Sequence, residues 1–196
     1  MYPKSLNRVI MKTKFLFYIG SVIILGVVVF SYNAVDNSLT EEDMQYIPKF
    51  LVGVDSLPKK YKFKDVIEYI AAVQKSVIEI APHLGGLPFG QKREPKELFV
   101  AKRGLCFDRS RVIEKILRYS GFKTRHINVY AKKGTESALK TLLTPGVPSH
   151  AITEVLTSRS WLVVDSNATW LGLNKNDQPI PLENLWFMLE NLKSVD

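Results

Sequence analysis

The first strong pattern along the chain is an unbroken apolar run, FLFYIGSVIILGVVVFSY, from Phe15 to Tyr32, 18 residues without a charged side chain. As a helix it would extend about 27 Å, close to the ~30 Å hydrocarbon core of a bilayer, with Tyr18 and Tyr32 near the two interfaces. A buried soluble helix would carry a polar stripe, and this run has none. A cleaved signal peptide would want a shorter apolar core and small residues at −3 and −1. The exit at Ser31-Tyr32-Asn33-Ala34 offers bulky Tyr32 instead. The pattern predicts an uncleaved transmembrane anchor over 15–32, behind a basic leader at 1–14. A weakly patterned juxtamembrane tether or short peripheral helix follows at 33–60, and a globular domain at 61–196.

Inside that domain the period of the apolar positions changes several times. Val66, Ile70, Val73, Val77 and Ile80 recur at helical steps until Pro82 and Gly85-Gly86 intervene. A proline- and glycine-bearing loop over 87–95 leads to a short helix across Lys96–Arg103. After Gly104, a second apolar face (Val112, Ile113, Ile116, Leu117, Tyr119) predicts a helix closed by Ser120-Gly121. Residues 123–131 alternate as a strand. A connection over 134–149 has a short helical middle and a break at Pro145-Gly146. His150–Leu156 and Trp161–Asp165 are β-branched, apolar runs joined by 157–160, a hairpin. An amphipathic helix over Leu182–Leu192 ends the chain.

Charge changes this picture little. The chain carries +8 net, from 27 basic and 19 acidic residues. Lys4, Arg8, Lys12 and Lys14 stand alone before residue 36, so half the excess lies in the leader. Nucleic acid is therefore not the expected partner. The same asymmetry keeps the N-terminus cytoplasmic and puts the domain on the far side of the membrane, periplasmic in a bacterium.

The single cysteine, Cys106, can form neither an internal disulfide nor a cysteine-based zinc cluster. A free Cys is more often a small buried hydrophobe than a nucleophile. Cys106, however, stands just after a helix-breaking glycine, Gly104, and directly before a helix. Unpaired N–H groups and the positive end of the helix dipole there favour the thiolate and could hold an oxyanion. The hairpin supplies possible partners. With its loop centred on 157–158, His150 lies opposite Asp165. Centred one residue later, His150 faces Asn167 and Asp165 is its diagonal neighbour on the same face. Either arrangement allows a carboxylate–imidazole hydrogen bond, and an odd-membered loop or a bulge would not. Asp165 is also well suited to a simple strand-end cap. Glu154 shares the face of His150, although a paired strand acid is the plainer role. His83 and His126 are expected to be structural or surface residues, and Trp161 and Trp170 core or rim.

Gly104-Leu105-Cys106-Phe107-Asp108, then Gly121-Phe122-Lys123-Thr124-Arg125, His150-Ala151-Ile152-Thr153-Glu154-Val155 and Trp161-Leu162-Val163-Val164-Asp165 together resemble the transglutaminase-like domain. The resemblance implies a papain-like α+β fold with the Cys at a helix N-terminus packed on an antiparallel sheet. It assigns nucleophile, base and orienting acid to Cys106, His150 and Asp165. Family members often have proline after the Asp, and Ser166 stands there in this chain. The side chain that assists the oxyanion is unassigned, Lys102 and Gln91 being guesses.

The expected chemistry is acyl transfer from an amide of a protein or peptide substrate, with no metal or other cofactor. Water as acceptor would give hydrolysis, and a lysine amine would give a crosslink. The alternatives are a catalytically inactive binding module of the same fold on the extracytoplasmic face, and a metal site formed by the same three side chains.

Overall fold

A computed structural model describes residues 4–33, 37–57, 62–131, 137, 140, 144 and 146–185. The chain divides into two compact units, Met1–Ser38 and Leu39–Asp196.

The first unit is one helix, α1, Lys4–Asn33. Its described side chains run from Leu16 to Val29, plus Ser31, and are apolar and exposed apart from Ser21, Ser31 and the half-buried Gly20. The Ser21 hydroxyl donates to the Phe17 carbonyl at 2.9 Å, so its polar group is satisfied within the helix. Among the described residues, no helix is long and apolar enough to cross a membrane.

The second unit is α+β. Its helices are α2 (Glu41–Phe50), α3 (Phe63–Ile80), α4 (Pro95–Ala101) and α5 (Cys106–Tyr119). Its strands are β1 (Lys123–Tyr130), β2 (Ser149–Leu156) and β3 (Trp161–Val164). The three strands form one antiparallel sheet in the order β1-β2-β3. α5 lies across β1 and β2 and is also contacted by α2, α3 and α4. The core gathers Ile47 and Phe50, Ile70, Val73 and Val77, Leu98, the predicted Val112, Ile113, Ile116 and Leu117, and Val155, Leu162 and Val164. Tyr119, read as part of the α5 face, is 38% exposed, because it stands on the last turn of its helix.

Periodicity located α3, α5 and all three strands to within one or two residues. It did not reveal how deeply α5 is buried. Arg109, Ser110, Arg111, Glu114 and Lys115 are enclosed along with the apolar residues. Charges so enclosed need partners, since an unpaired ion in a low-dielectric interior is costly. Lys115 Nζ meets Asp43 Oδ2 and Glu94 Oε2 at 2.6 Å each. Arg111 pairs with Glu114 at 3.1 Å and Glu94 at 3.4 Å, and Arg118 reaches the other oxygen of Glu114 at 3.0 Å.

Asp43 connects this cluster to the segment read as a juxtamembrane tether. That segment contains α2, whose Ile47 and Phe50 are fully buried. The helix begins sharply: the Thr40 hydroxyl accepts from the Asp43 amide at 3.1 Å, and Asp43 Oδ2 accepts from the Thr40 amide at 2.8 Å. One carboxylate oxygen thus starts α2 and neutralises Lys115.

Most of the 134–149 connection lies outside the described residues. Its ends are held together where the Ala131 amide donates to the Pro148 carbonyl at 2.9 Å. Of the last predicted helix, residues 182–185 are helical and the remainder lies outside the described residues.

Replacing Asp43 by Ala removes the side-chain half of the capping box and leaves Lys115 with one carboxylate. Breaking a buried pair costs about 3–5 kcal/mol and losing an N-cap contact about 1. Urea denaturation should show Asp43→Ala and Lys115→Met each destabilised by several kcal/mol, and the double variant Asp43→Ala/Lys115→Met by less than the sum of the two. Strictly additive losses in the double variant would contradict this account.

Candidate active site

Cys106 is the first residue of α5 and is half-buried. A backbone approach too close for any other residue fixes the turn before it. A Cβ on Gly104 would come within 2.6 Å of Leu98 Cδ1 and 3.3 Å of Asp108 Cβ. Leu98 is fully buried and has little room to yield. The Asp108 carboxylate then organises the turn: Oδ2 accepts from the amides of Leu105 at 3.0 Å and Leu87 at 3.2 Å, and Oδ1 pairs with Arg93 Nε at 3.1 Å. This one side chain holds both the α5 entry and the proline-glycine loop. The amides of Cys106 and Phe107, in the first turn, have no partner within the helix.

The other half of the site comes from the hairpin. Thr153 pairs with Val164 and Leu156 with Trp161, so the loop is the four residues 157–160. Continued along the strands, this register brings His150 level with Asn167 and puts Asp165 on the diagonal, the second of the two geometries that the sequence allows. His150 Nε2 lies 2.8 Å from Asp165 Oδ2, and His150 Nδ1 lies 3.3 Å from Asn167 Nδ2. The His150 side chain is 33% exposed and that of Asp165 18%, an accessible rim rather than a sealed core.

Asp165 is fixed on several sides. Its Oδ1 accepts from the amides of Asn167 at 2.6 Å and Ala168 at 2.8 Å, which leaves Oδ2 for the imidazole. Gln74, buried in α3, directs its Nε2 at the carbonyls of Asp165, Ala168 and Trp170, at 2.8, 2.9 and 2.7 Å. Two amide hydrogens serve three acceptors there, so at least one bond is shared. Ser166, where proline is frequent in the resembled family, is buried and donates to the Ala151 carbonyl at 2.5 Å. The hydroxyl ties the residue after the Asp to the residue after the His.

The structure therefore joins His150 and Asp165 directly. Cys106 stands one helical turn before Arg109, whose side chain reaches Asn167 beside the His150 ring, and among the described residues no hydrogen bond joins Cys106 to His150. This guanidinium is 1% exposed, its Nη2 donates to Asn167 Oδ1, and its Nε has no hydrogen-bond partner among the described residues. Burial pulls the Arg109 pKa below its usual value, while negative charge on Cys106, Asp165 and Asp108 acts in the opposite sense. Sequence patterning did not single out Arg109, Asn167 or Gln74. An arginine three positions after the cysteine, on the buried side of a helix, was the available signal.

The other sequence expectations separate cleanly. Glu154 is fully buried and does not join the His150 pair. It accepts from Arg125 Nε at 2.6 Å and from the Leu182 amide at 2.8 Å. Lys102 is a left-handed helix cap with φ of 52°, and its ammonium sits 3.4 Å from the Phe99 ring centroid. Trp161 lies under Arg125, and Trp170 is on the rim. His83 is exposed. Among the described residues, no group of three or more His, Cys, Asp or Glu side chains could hold a metal ion.

A family model described as the transglutaminase-like superfamily matches residues 58–166. The match covers more than half of the chain and contains α3, α4, α5 and all three strands. No curated protein and no solved structure matches.

His126 lies beneath α5, its ring edge-on to Phe107 at 4.7 Å and its Nδ1 3.2 Å from the Ser110 hydroxyl. Desolvation depresses its pKa, partly opposed by Glu114. The unfolded chain therefore binds this proton at a higher pH than the folded one. The stability involved is present above about pH 6.5 and is lost as pH falls through that value toward the lower folded pKa. Thermal melts should show a fall in Tm from pH 7.5 to about 5.5 that is smaller in His126→Gln. An unchanged slope in the variant would assign the effect to other groups.

Proposed function

The chain belongs to the transglutaminase-like superfamily, and from that premise we propose that it is a cysteine-dependent acyl-transfer enzyme acting on amide or peptide bonds. Cys106 is the nucleophile, His150 the base and Asp165 the residue that orients the imidazole. The observation that supports this most is the 2.8 Å contact from His150 Nε2 to Asp165 Oδ2, on a carboxylate whose other oxygen is held by two backbone amides. That arrangement leaves Nδ1 as the nitrogen available to a thiol, and gives a strand-end aspartate a purpose beyond capping.

The steps follow from the groups available. His150 Nδ1 takes the Cys106 proton, and the sulfur adds to the substrate carbonyl. The oxyanion is stabilised by the Cys106 backbone N–H at the positive end of α5. The imidazolium, steadied by Asp165, returns the proton to the leaving amine as the C–N bond breaks, and a thioester remains. Water or a lysine amine then displaces the sulfur, giving hydrolysis or an isopeptide bond. The half-buried rim position of His150 is compatible with water as the acceptor, and hydrolysis of an extracytoplasmic protein or peptide is the reading we favour.

The 18-residue uncharged run at 15–32 lies within α1, and its basic residues are all on the N-terminal side. On this reading the whole run, which is longer than its described side chains at 16–29 and 31, is a single-pass anchor with a cytoplasmic N-terminus, presenting the domain on the opposite face of the membrane.

Two experiments test these assignments. An iodoacetamide-type probe at neutral pH should label Cys106 rapidly in the wild-type protein, and at least tenfold more slowly in His150→Ala. In Asp165→Asn, turnover of a peptide-amide substrate should fall by roughly 10³–10⁴-fold with the fold intact. Slow labelling that is indifferent to His150 would instead describe a binding module of the same fold. For the anchor, the chain should stay in the membrane pellet after alkaline carbonate extraction, and deletion of residues 1–32 should release it. A full-length chain found in the supernatant would rule the anchor out.

A further inference from the structure

We propose that Arg109 and Asn167 are positioning residues that set the proton on His150: the guanidinium fixes the orientation of the Asn167 amide, and the amide keeps Nδ1 bare and facing the nucleophile's side. The inference rests on the acyl-transfer reading only for its purpose. Its geometry stands independently.

The logic is one of donors and acceptors. A guanidinium carries donors and no acceptor, so the atom of Asn167 that meets Arg109 Nη2 is the amide oxygen. The amide nitrogen is then the end turned to the ring, 3.3 Å from Nδ1. An NH₂ group only donates, and its contact is favourable only with an unprotonated ring nitrogen. At the far side, Asp165 Oδ2 accepts at 2.8 Å, so the ring proton belongs on Nε2. Arg109, Asn167, His150 and Asp165 thus form a directional chain in which every donor meets an acceptor.

Asp165 alone already selects Nε2–H for the neutral ring. What Asn167 adds is resistance to a second proton. Protonating Nδ1 would set N–H against NH₂ unless the amide rotates, and rotation would put NH₂ against the guanidinium. The charged groups facing the ring therefore act in opposite senses. Asp165 favours the imidazolium, and Arg109 with its amide disfavours it at rest. Asp108, on the same helix as Arg109, and Asp165 carry negative charge that balances the guanidinium. The outcome is a ring ready to accept a proton when the thiol attacks. During the reaction, Asn167 must yield the Nδ1 lone pair. Its exposed position on the rim gives it room to do so, whereas Arg109 is enclosed.

The test uses the full-length chain and two readouts: ¹⁵N NMR of the His150 ring, and the pH profile of Cys106 alkylation. The wild-type ring should carry its proton on Nε2 with Nδ1 bare. Asn167→Asp replaces the donor by an acceptor carboxylate, so the pH at which Nδ1 loses its proton should rise by about one unit or more. The alkylation profile should shift with it. Asn167→Ala, at an exposed position that the fold tolerates, should shift both in the same direction by less. Arg109→Lys, still a pure donor, should retain the wild-type tautomer and most of the profile, and Arg109→Gln should lose it. Wild-type ring protonation and alkylation in both Asn167→Asp and Asn167→Ala would overturn the proposal. Slow, His150-independent alkylation of the wild-type chain would instead sink the enzyme reading, while the ring spectra would still report on the relay.

Discussion

Everything at the site depends on the enclosure of α5. The helix that carries Cys106 at its first residue is surrounded by the sheet and three other helices. Enclosure brings five of its charged side chains out of water, and for Arg111, Glu114 and Lys115 the fold answers with partners drawn from α2, Glu94 before α4 and α5 itself. A cluster of this kind contributes less to net stability than its short distances suggest, because desolvation offsets most of the attraction. Its effect is geometric. Lys115 can be buried only if Asp43 arrives, and Asp43 arrives only if α2 starts at Thr40. The position of α5, and with it the thiol, is therefore tied to a segment well outside the catalytic motifs.

At the other end of α5 the same principle works on a smaller scale. The Asp108 carboxylate neutralises Arg93 and accepts two backbone amides that would otherwise be orphaned. The hairpin end is held by analogous means, with Asx-type bonds to Asp165 Oδ1, Gln74 beneath three carbonyls, and Ser166 bonded to Ala151. The two halves of the site are rigid for separate reasons. They are joined where Arg109 reaches Asn167.

How much of this was legible in the sequence follows from which forces are local. The α3 and α5 periods, the glycine stops at Gly104 and Gly121, and the alternation of β1 are local patterns, and they placed the elements closely. The relation of His150 to Asp165 was legible because strand parity is arithmetic, and the register realised is one of the two that the loop permitted. The burial of α5 was not legible. Arg111, Glu114 and Lys115 look like a solvated face until the carboxylates that cover them, distant in sequence, are known. Glu154 follows the plainer of its two readings: it shares the face of His150 but is paired with Arg125 and the Leu182 amide. The role of α2 was hidden because a ten-residue helix with three acids in its first turn is as plausible on a surface as in a core.

Arg109 shows where fold and chemistry pull in opposite directions. A buried guanidinium with an unbonded Nε next to a thiol is a poor choice for stability, and an apolar residue of similar volume would pack there without that desolvation penalty. What the guanidinium supplies is directional: it can donate to the Asn167 oxygen and cannot accept. A neutral residue in its place would leave the Asn167 amide free to present either end to the imidazole. A site that must hold a base unprotonated beside a carboxylate has a use for that asymmetry, and a purely structural core does not.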